Sequence, residues 1–426
     1  MTDESKNKLD RREFIGTAAA AGALLIRPEL VRGTAANSDV RLGLLGCGGR
    51  GSEVAGSMAR QSGARVVALA DLFDDQLQAG KNRFDKLAGE KGYAGVDSAQ
   101  MFRGPKAYQQ LAASKEVDAV VIGTPPYFHP QHLEAAVAAG KHVYLEKPVA
   151  VDVHGSKRVI RAGEKANGRL SLAVGFQIRH APPFVEMVRR IHGGALGKMV
   201  TGQAYYYTGA LERPAWPNAS PAERRLRNWP YDRVLSGDIL VEQGIHVVDI
   251  CNWVLQDHPL KAHGAGGRKV RTDHGDAWDH YNVTLFYPDD VHVSFTSTQF
   301  VKGWWDVCER FFGSKGVSES HYTGGVRILG AEPWEADLGG TAQGGQFSAT
   351  GSFTSALKDA DPEKQKAFIG SITSGKFVSE ATPGAESALS AILARTAAYT
   401  GKEITWEALL RSDEAWDSKL DLNKLV

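Results

Sequence analysis

The stretch Val40-Arg41-Leu42-Gly43-Leu44-Leu45-Gly46-Cys47-Gly48-Gly49-Arg50-Gly51 joins a short apolar run to a cluster of glycines. Ser52–Arg60 follows with helical spacing. A strand, a G-x-G-x-x-G loop and a helix in that order make a dinucleotide-binding turn, and this context lifts the glycine pattern above a chance tight turn. Gly46 permits the turn, Gly48 lets the backbone approach a pyrophosphate, and Gly51 lets the helix sit close to the strand. The helix N-terminus after the loop offers unpaired N–H groups to the phosphates, and Gly49 and Arg50 of the loop count among the cofactor-binding candidates.

Outward from this turn the alternation continues. Val66–Ala70 is a second apolar run ending at Asp71, twenty residues after Gly51. A carboxylate there binds the adenosine ribose hydroxyls and repels a 2′-phosphate, which favours NAD over NADP. Arg50 tempers that preference, since a loop arginine offsets the charge. Val117–Gly123 reads as a buried strand ending in Thr124-Pro125-Pro126, His129–Ala139 as a helix stopped by Gly140, and His142–Leu145 as a strand ending in Glu146-Lys147-Pro148. Strands alternating with helices predict a doubly wound parallel sheet with right-handed crossovers. Ligands in such sheets bind at the carboxyl ends of the strands, where Asp71, Thr124 and Lys147 fall.

The N-terminal side carries a different signal. Asp10-Arg11-Arg12-Glu13-Phe14 precedes Ile15–Ile26, an apolar run of twelve residues rich in Ala and Gly. That is too short for a bilayer span of about twenty residues, and it suits a signal segment. Thr34, Ala35 and Ala36 are small, as cleavage requires. The paired arginines predict a twin-arginine signal over residues 1–36, export of the folded protein by that translocase, and a periplasmic address. Arginine pairs also occur at Arg189-Arg190 and Arg224-Arg225, so position and the apolar run carry this reading.

The leader leaves about 390 of 426 residues, enough for two domains. Fifty basic and 49 acidic residues give a net charge of +1, so nothing calls for nucleic acid or an anionic surface as partner. Cys47, Cys251 and Cys308 are too few for a disulfide framework and lack metal-ligand spacing, so no metal is expected.

With these motifs the chain is similar to the glucose–fructose oxidoreductase / inositol dehydrogenase / rhizopine-catabolism (Gfo/Idh/MocA) family. The glycine loop, Asp71, Thr124-Pro125-Pro126 with His129, Glu146-Lys147-Pro148, Gly175-Phe176-Gln177 and Glu242-Gln243-Gly244-Ile245-His246 carry the resemblance, which covers nearly everything after the leader. It implies a Rossmann-type NAD domain over residues 37–160. An α+β domain with a large open, mixed or antiparallel sheet would follow over 161–426, often mediating oligomerisation, so a homo-oligomer is expected. It also implies a sugar or cyclitol ligand. Carried across, Lys147 hydrogen-bonds the reacting hydroxyl and His246 is the second acid/base group. Glu242 stands where the family usually has aspartate. Thr124, Pro125, His129, Glu146, Lys147 and Gln177 join the loop and Asp71 around the cofactor.

The residue chemistry agrees independently. Hydride removal from a carbinol leaves a proton to be taken up, and a lysine or histidine near neutral pKa does this best. Glu242 and His246 share one helix face.

In the second domain Ala181–His192 and Glu242–Leu255 read as helices, Lys198–Tyr207 as a strand, and Asp279–Tyr287 with Val291–Gln299 as a hairpin around Pro288-Asp289-Asp290. Ala385–Thr400 reads as a late helix that closes the structure, and the C-terminal end is expected to pack back on the first domain. Thr208–Gly237 reads as a long loop of functional weight. Sugars are held by aromatic faces and charged groups, so Arg179, Tyr207, Trp229 and Asp238 are the leading substrate candidates, with Trp216, Trp304, Trp305, Arg213 and Arg227 behind them.

Three functions compete, beside a fourth, a cytoplasmic enzyme with free NAD exchange, which requires the leader reading to be wrong. The first is an exported oxidoreductase with tightly bound NAD, because a periplasm holds no NAD pool and a dissociating dehydrogenase would stall. The second is an NAD-dependent glycosidase running a closed cycle of oxidation, elimination, hydration and reduction, with Glu242, Asp238 or a tyrosine in Tyr205–Tyr207 as its extra base. The third is a non-catalytic binding protein on the same fold.

Overall fold

The computed structural model describes residues 39–338 and 355–425. The leader, including Arg11, Arg12 and Ile15–Ile26, lies outside the described residues.

Six strands, β1 (Val40–Leu45), β2 (Ala64–Asp71), β3 (Met101–Arg103), β4 (Ala119–Ile122), β5 (His142–Leu145) and β6 (Leu172–Val174), form a parallel sheet in the order β3-β2-β1-β4-β5-β6. Helices α1 (Gly49–Gln61), α2 (Asp74–Glu90), α3 (Ala107–Ala113), α4 (His129–Ala138) and α5 (Val153–Ala166) make the crossovers. Every residue of β4 is buried, as expected of a central parallel strand covered on both faces. The chain winds away from β1 to β3 and returns at β4, so the crevice opens at the carboxyl ends of β1 and β4. The sheet extends through β6. The expected boundary at residue 160 therefore falls inside α5 and is corrected to beyond Val174.

The second domain begins with α6 (Pro182–His192) and β7 (Met199–Thr208). The expected long loop follows, but it holds two short helices, α7 (Pro221–Arg227) and α8 (Arg233–Ser236), around a turn at Trp229–Tyr231. Side chains start both: Ser220 Oγ accepts from Glu223 N–H, and the Asp232 carboxylate accepts from Val234 and Leu235 N–H. Helices of seven and four residues are too short to show a period. A π-helical turn, Leu240–Gly244, leads into α9 (Ile245–Leu255).

Strands β8 (Lys261–Gly267), β9 (His280–Tyr287), β10 (Val291–Gln299), β11 (Asp306–Gly313), β12 (Gly316–His321), β13 (Val326–Gly330) and β14 (Trp334–Glu335) follow. After α10 (Ala360–Ser374) and α11 (Ala381–Thr400) come β15 (Ile404–Thr405) and α12 (Trp406–Ser412). Nine strands pair in the order β14-β13-β12-β11-β7-β10-β9-β8-β15. β7 runs parallel to β10 and antiparallel to β11, so the sheet is mixed.

The late helix α11 is buried along most of its surface, including Ser387, Ser390 and Arg395. It packs on α5 of the first domain and on β8, β9 and α9 of the second, joining the two. Helix α10 packs on α1. Among the described residues no helix is long and apolar enough to cross a membrane.

Candidate active site

The glycine loop sits where β1 meets its neighbours: Gly46 N–H donates to Ala70 O at 2.8 Å and Gly123 N–H to Leu45 O at 2.9 Å. Gly46 has φ +90°, and a Cβ there would lie 2.8 Å from the Gly123 carbonyl carbon. A Cβ on Gly51 would lie 2.4 Å from Gly46 O, so α1 reaches the strand only because residue 51 is glycine. A Cβ on Gly48 would meet no atom within 4 Å, since that residue faces open space. The Asp71 carboxylate accepts from Cys47 N–H at 2.7 Å and Phe73 N–H at 3.0 Å. Burial raises its pKa, and these backbone donors oppose the rise.

Together these residues wall a cavity of about 340 Å³. It is lined by Gly46, Gly48, Gly49, Asp71, Thr124 and Pro125 at the strand ends, by Phe73, Tyr108, Phe128 and His132, and by Trp216, Arg227, Trp229 and Leu422 from later in the chain. An open glycine cradle at a helix start beside a fixed carboxylate fits the phosphates and ribose of a dinucleotide.

Beyond the end of β5 lies a second group of side chains. Lys147 Nζ donates to Glu242 O at 2.5 Å and lies 3.3 Å from Glu242 Oε1, both side chains being largely buried. His246 is buried on the first turn of α9, edge-on to Phe176 and stacked with Tyr206 at a centroid distance of 6.4 Å. Its Nδ1 has no hydrogen-bond partner, and neither has the buried Oε1 of Gln177. Burial first, then the charges of Lys147 and Arg50, pushes the His246 pKa well below its usual value, so the ring is neutral. A neutral imidazole beside an ammonium is chemically fit to accept a proton.

Two family models match this chain: an oxidoreductase family with an NAD-binding Rossmann fold over residues 40–175, and the GFO/IDH/MocA C-terminal domain over residues 184–319. The chain belongs to the Gfo/Idh/MocA oxidoreductase family. Its first domain is accordingly an NAD-binding Rossmann domain. Inositol 2-dehydrogenase 4 of Saccharopolyspora erythraea is 36% identical over 163 residues, 38% of this chain and 44% of that protein. Inositol 2-dehydrogenase of Acidothermus cellulolyticus is 27% identical over 260 residues, 61% of this chain and 66% of that protein. The chain thus spans less than two thirds of the length of either relative. The fold is that of aldose–aldose oxidoreductase from Caulobacter crescentus, with TM-score 0.66 and 19% identity, covering 86% of this chain and 99% of that one. It is also that of levoglucosan dehydrogenase, with TM-score 0.65 and 17% identity over the same shares.

Several site residues expected from the family pattern take other positions. Arg50 turns its guanidinium out of the cavity, donating to Glu146 at 2.9 Å and to both Asp361 oxygens at 2.7 and 2.8 Å. It is therefore not set to offset Asp71. Glu146, expected at the cofactor, is buried with its carboxylate on Arg50 and under Gly175. His129 is buried as well, its Nδ1 2.8 Å from Pro148 O and its Nε2 2.7 Å from Thr124 O. It pins the ends of β4 and β5 together rather than facing a ligand. Burial lowers its pKa to about 4, outweighing the two carbonyls.

The substrate candidates need more revision. Asp238 is fully buried at φ +73°, with its carboxylate taken by Ile239 and Trp278 N–H and by Tyr399 O–H. It holds the backbone and has no room for substrate. Arg179 is bidentate to Asp249 at 2.8 and 3.0 Å. Trp229, Trp216 and Arg227 line the cofactor cavity instead. Tyr207 lies on the outer face of the sheet, stacked with Tyr205 and near Trp304. The inner face belongs to Tyr206, because side chains alternate along a strand. Burial first, then Glu242 and Glu309, raises the Tyr206 pKa. Sequence reasoning did not single out Tyr206, His132, Phe73 or Asp361. Only the strand alternation could have pointed to Tyr206, and nothing local marked Asp361.

Proposed function

We propose that the protein is an exported oxidoreductase that keeps NAD bound and acts at a carbinol carbon of a sugar, sugar derivative or cyclitol. The observation that carries this reading is the Lys147–Glu242 contact beside a neutral His246 with an unpartnered Nδ1. Bound NAD supplies the hydride acceptor. Lys147 orients the reacting hydroxyl, and Glu242 holds the ammonium in place. His246 accepts the hydroxyl proton, for which its unpaired nitrogen and neutral state suit it. The unpartnered Gln177 Oε1 is available to a hydroxyl or carboxamide donor.

The substrate class is supported by the inositol 2-dehydrogenases among the relatives and by the aldose–aldose oxidoreductase and levoglucosan dehydrogenase among the similar structures. Arg11-Arg12 before Ile15–Ile26 supports passage through the twin-arginine translocase to the periplasm. Retention of NAD follows from that address. The outer sheet face with Tyr205, Tyr207 and Trp304, the last 55% exposed, suits a homo-oligomer contact.

The test is mass spectrometry of the copurifying cofactor, then absorbance near 340 nm as sugars and cyclitols are added to the protein. Reduction of bound NAD by one of them is expected. No reduction across the panel overturns the reading, and release of an aglycone without net reduction replaces it with the closed glycosidase cycle. Replacing Arg11 and Arg12 by lysine is expected to strand the precursor in the cytoplasm. Normal export of that variant overturns the address.

A further inference from the structure

We infer that Arg227, with Trp216, Trp229 and Leu422, forms a strap that locks the adenosine end of the dinucleotide into its cavity, an inference that rests on the NAD reading of that cavity. The nucleotide domain supplies part of the lining. The rest comes from outside it: Trp216, Leu226, Arg227 and Trp229 from the segment between β7 and the π-turn, and Leu422 from the chain's end. These side chains share one cavity with Gly48 and Asp71, so a cofactor seated there lies against them.

Arg227 is the fastening. Its guanidinium carbon lies 3.8 Å from the Phe73 ring centroid and 4.4 Å from the Trp216 centroid, between the two rings. NH1 and NH2 donate to the two Asp75 oxygens, each at 2.9 Å, and Nε donates to Glu223 at 2.7 Å. The side chain is only 10% exposed although it bridges two domains. Planar stacking with a bidentate carboxylate is a geometry that arginine alone provides. Phe73 is the N-cap and Asp75 the second residue of α2, which starts just after Asp71, so the strap is tied to the segment that faces the adenosine ribose. Ser220 caps α7 at Glu223 N–H and so holds the Glu223 end of the same clamp. Three of the arginine's five N–H donors meet two carboxylates, whose negative charges offset the guanidinium and favour a latch over a 2′-phosphate site.

The experiment measures release of NAD without any sugar present. Purified protein is loaded with isotopically labelled NAD and chased with excess unlabelled NAD. Arg227→Ala and Trp216→Ala are expected to release the label about ten- to hundredfold faster than the parent. Arg227→Lys, which keeps the charge and loses the stacked fork, is expected to fall between. Circular dichroism and thermal melting establish that each variant is folded. Asp75→Asn loosens the same clamp from its exposed side, should an Arg227 variant fail to fold. Release within twofold of the parent in folded Arg227→Ala and Asp75→Asn proteins overturns the inference. Because no sugar is used, strap-dependent release without sugar oxidation leaves the strap standing and removes the catalytic reading. Failure of NAD to bind at all removes both.

Discussion

Lys147 Nζ lies 2.5 Å from the backbone carbonyl oxygen of Glu242 and 3.3 Å from its carboxylate, although 95 residues separate the two. The contact joins the end of β5 to the π-turn before α9, and so joins the cofactor domain to the helix that carries His246. Lys147→Ala is expected to lower the rate of bound-cofactor reduction by about 10²–10⁴. Cofactor binding is expected to persist, because Lys147 is not among the residues lining the dinucleotide cavity. Single-turnover absorbance with the best sugar of the panel measures the first, and equilibrium titration of NAD the second.

His246 and Glu242 act through different features. His246→Ala removes the neutral base and is expected to cost a similar factor of about 10²–10⁴. Glu242→Gln keeps the carbonyl oxygen that receives Lys147 and loses only the charge, so it is expected to cost less, about tenfold. Equal losses in the two variants would assign proton transfer to Glu242 instead.

Asp361 reaches Arg50 from the start of α10, at 2.7 and 2.8 Å. Asp361→Ala removes two hydrogen bonds from the guanidinium of Arg50 in a mostly buried site. It is expected to cost about 1–3 kcal/mol of stability, read by urea unfolding. NAD affinity should also fall, since Arg50 stands on the helix start that faces the phosphates.

Asp71 is held by Cys47 and Phe73 N–H groups with its carboxylate toward the cavity. Asp71→Ala is expected to raise the NADP-to-NAD affinity ratio by about tenfold or more, through loss of like-charge repulsion against a 2′-phosphate. Parallel titrations with the two cofactors check it.

Stability is expected to fall on both sides of neutrality. Burial lowers the pKa values of His129 and His180 to about 4 and that of His132 to about 3. Below the unfolded histidine value of 6.5 the unfolded chain binds protons that the native state refuses, so stability is lost as pH falls from 6.5 toward 4, by roughly 1.4 kcal/mol per pH unit for each histidine. Glu309 acts oppositely. It is fully buried on the inner sheet face, with Oε1 unpartnered, and burial raises its pKa to about 8. Between 4.5 and 8 the native state keeps a proton that the unfolded state has released, so stability is lost as pH rises through that window. Glu309→Gln is expected to gain on the parent steadily from pH 4.5 to 8 and by a constant amount above it. Urea titrations across pH read both arms.

Much of the first domain was legible because its signals are local. A strand of four to eight apolar residues, the glycine turn that ends it and the helix after it occupy adjacent positions, so the cradle, Asp71 and Lys147 fell where strand ends predicted. Glu242 and His246 were legible for the same reason, being one turn apart. The hairpin of β9 and β10 followed from alternation and its Pro288-Asp289-Asp290 turn. Short capped helices such as α8 were not legible, because four residues show no period.

What the sequence by itself determined is therefore the dinucleotide cradle, the parallel sheet around it, and the residue types at the reacting end, since these depend on backbone conformations that neighbouring residues dictate. The tertiary structure alone decided where long side chains spend their charges. Arg50 meets Asp361 across 311 positions, Asp238 is filled by Trp278 and Tyr399, and Arg227 turns from a substrate candidate into the latch on Phe73 and Asp75. Tyr205-Tyr206-Tyr207 is aromatic at every step, so strand alternation separated Tyr206 from its neighbours but the helix carrying His246 decided which face is inner. A charged or aromatic side chain has several partners within its reach along the chain and many more in space, and the packing of distant elements selects among them.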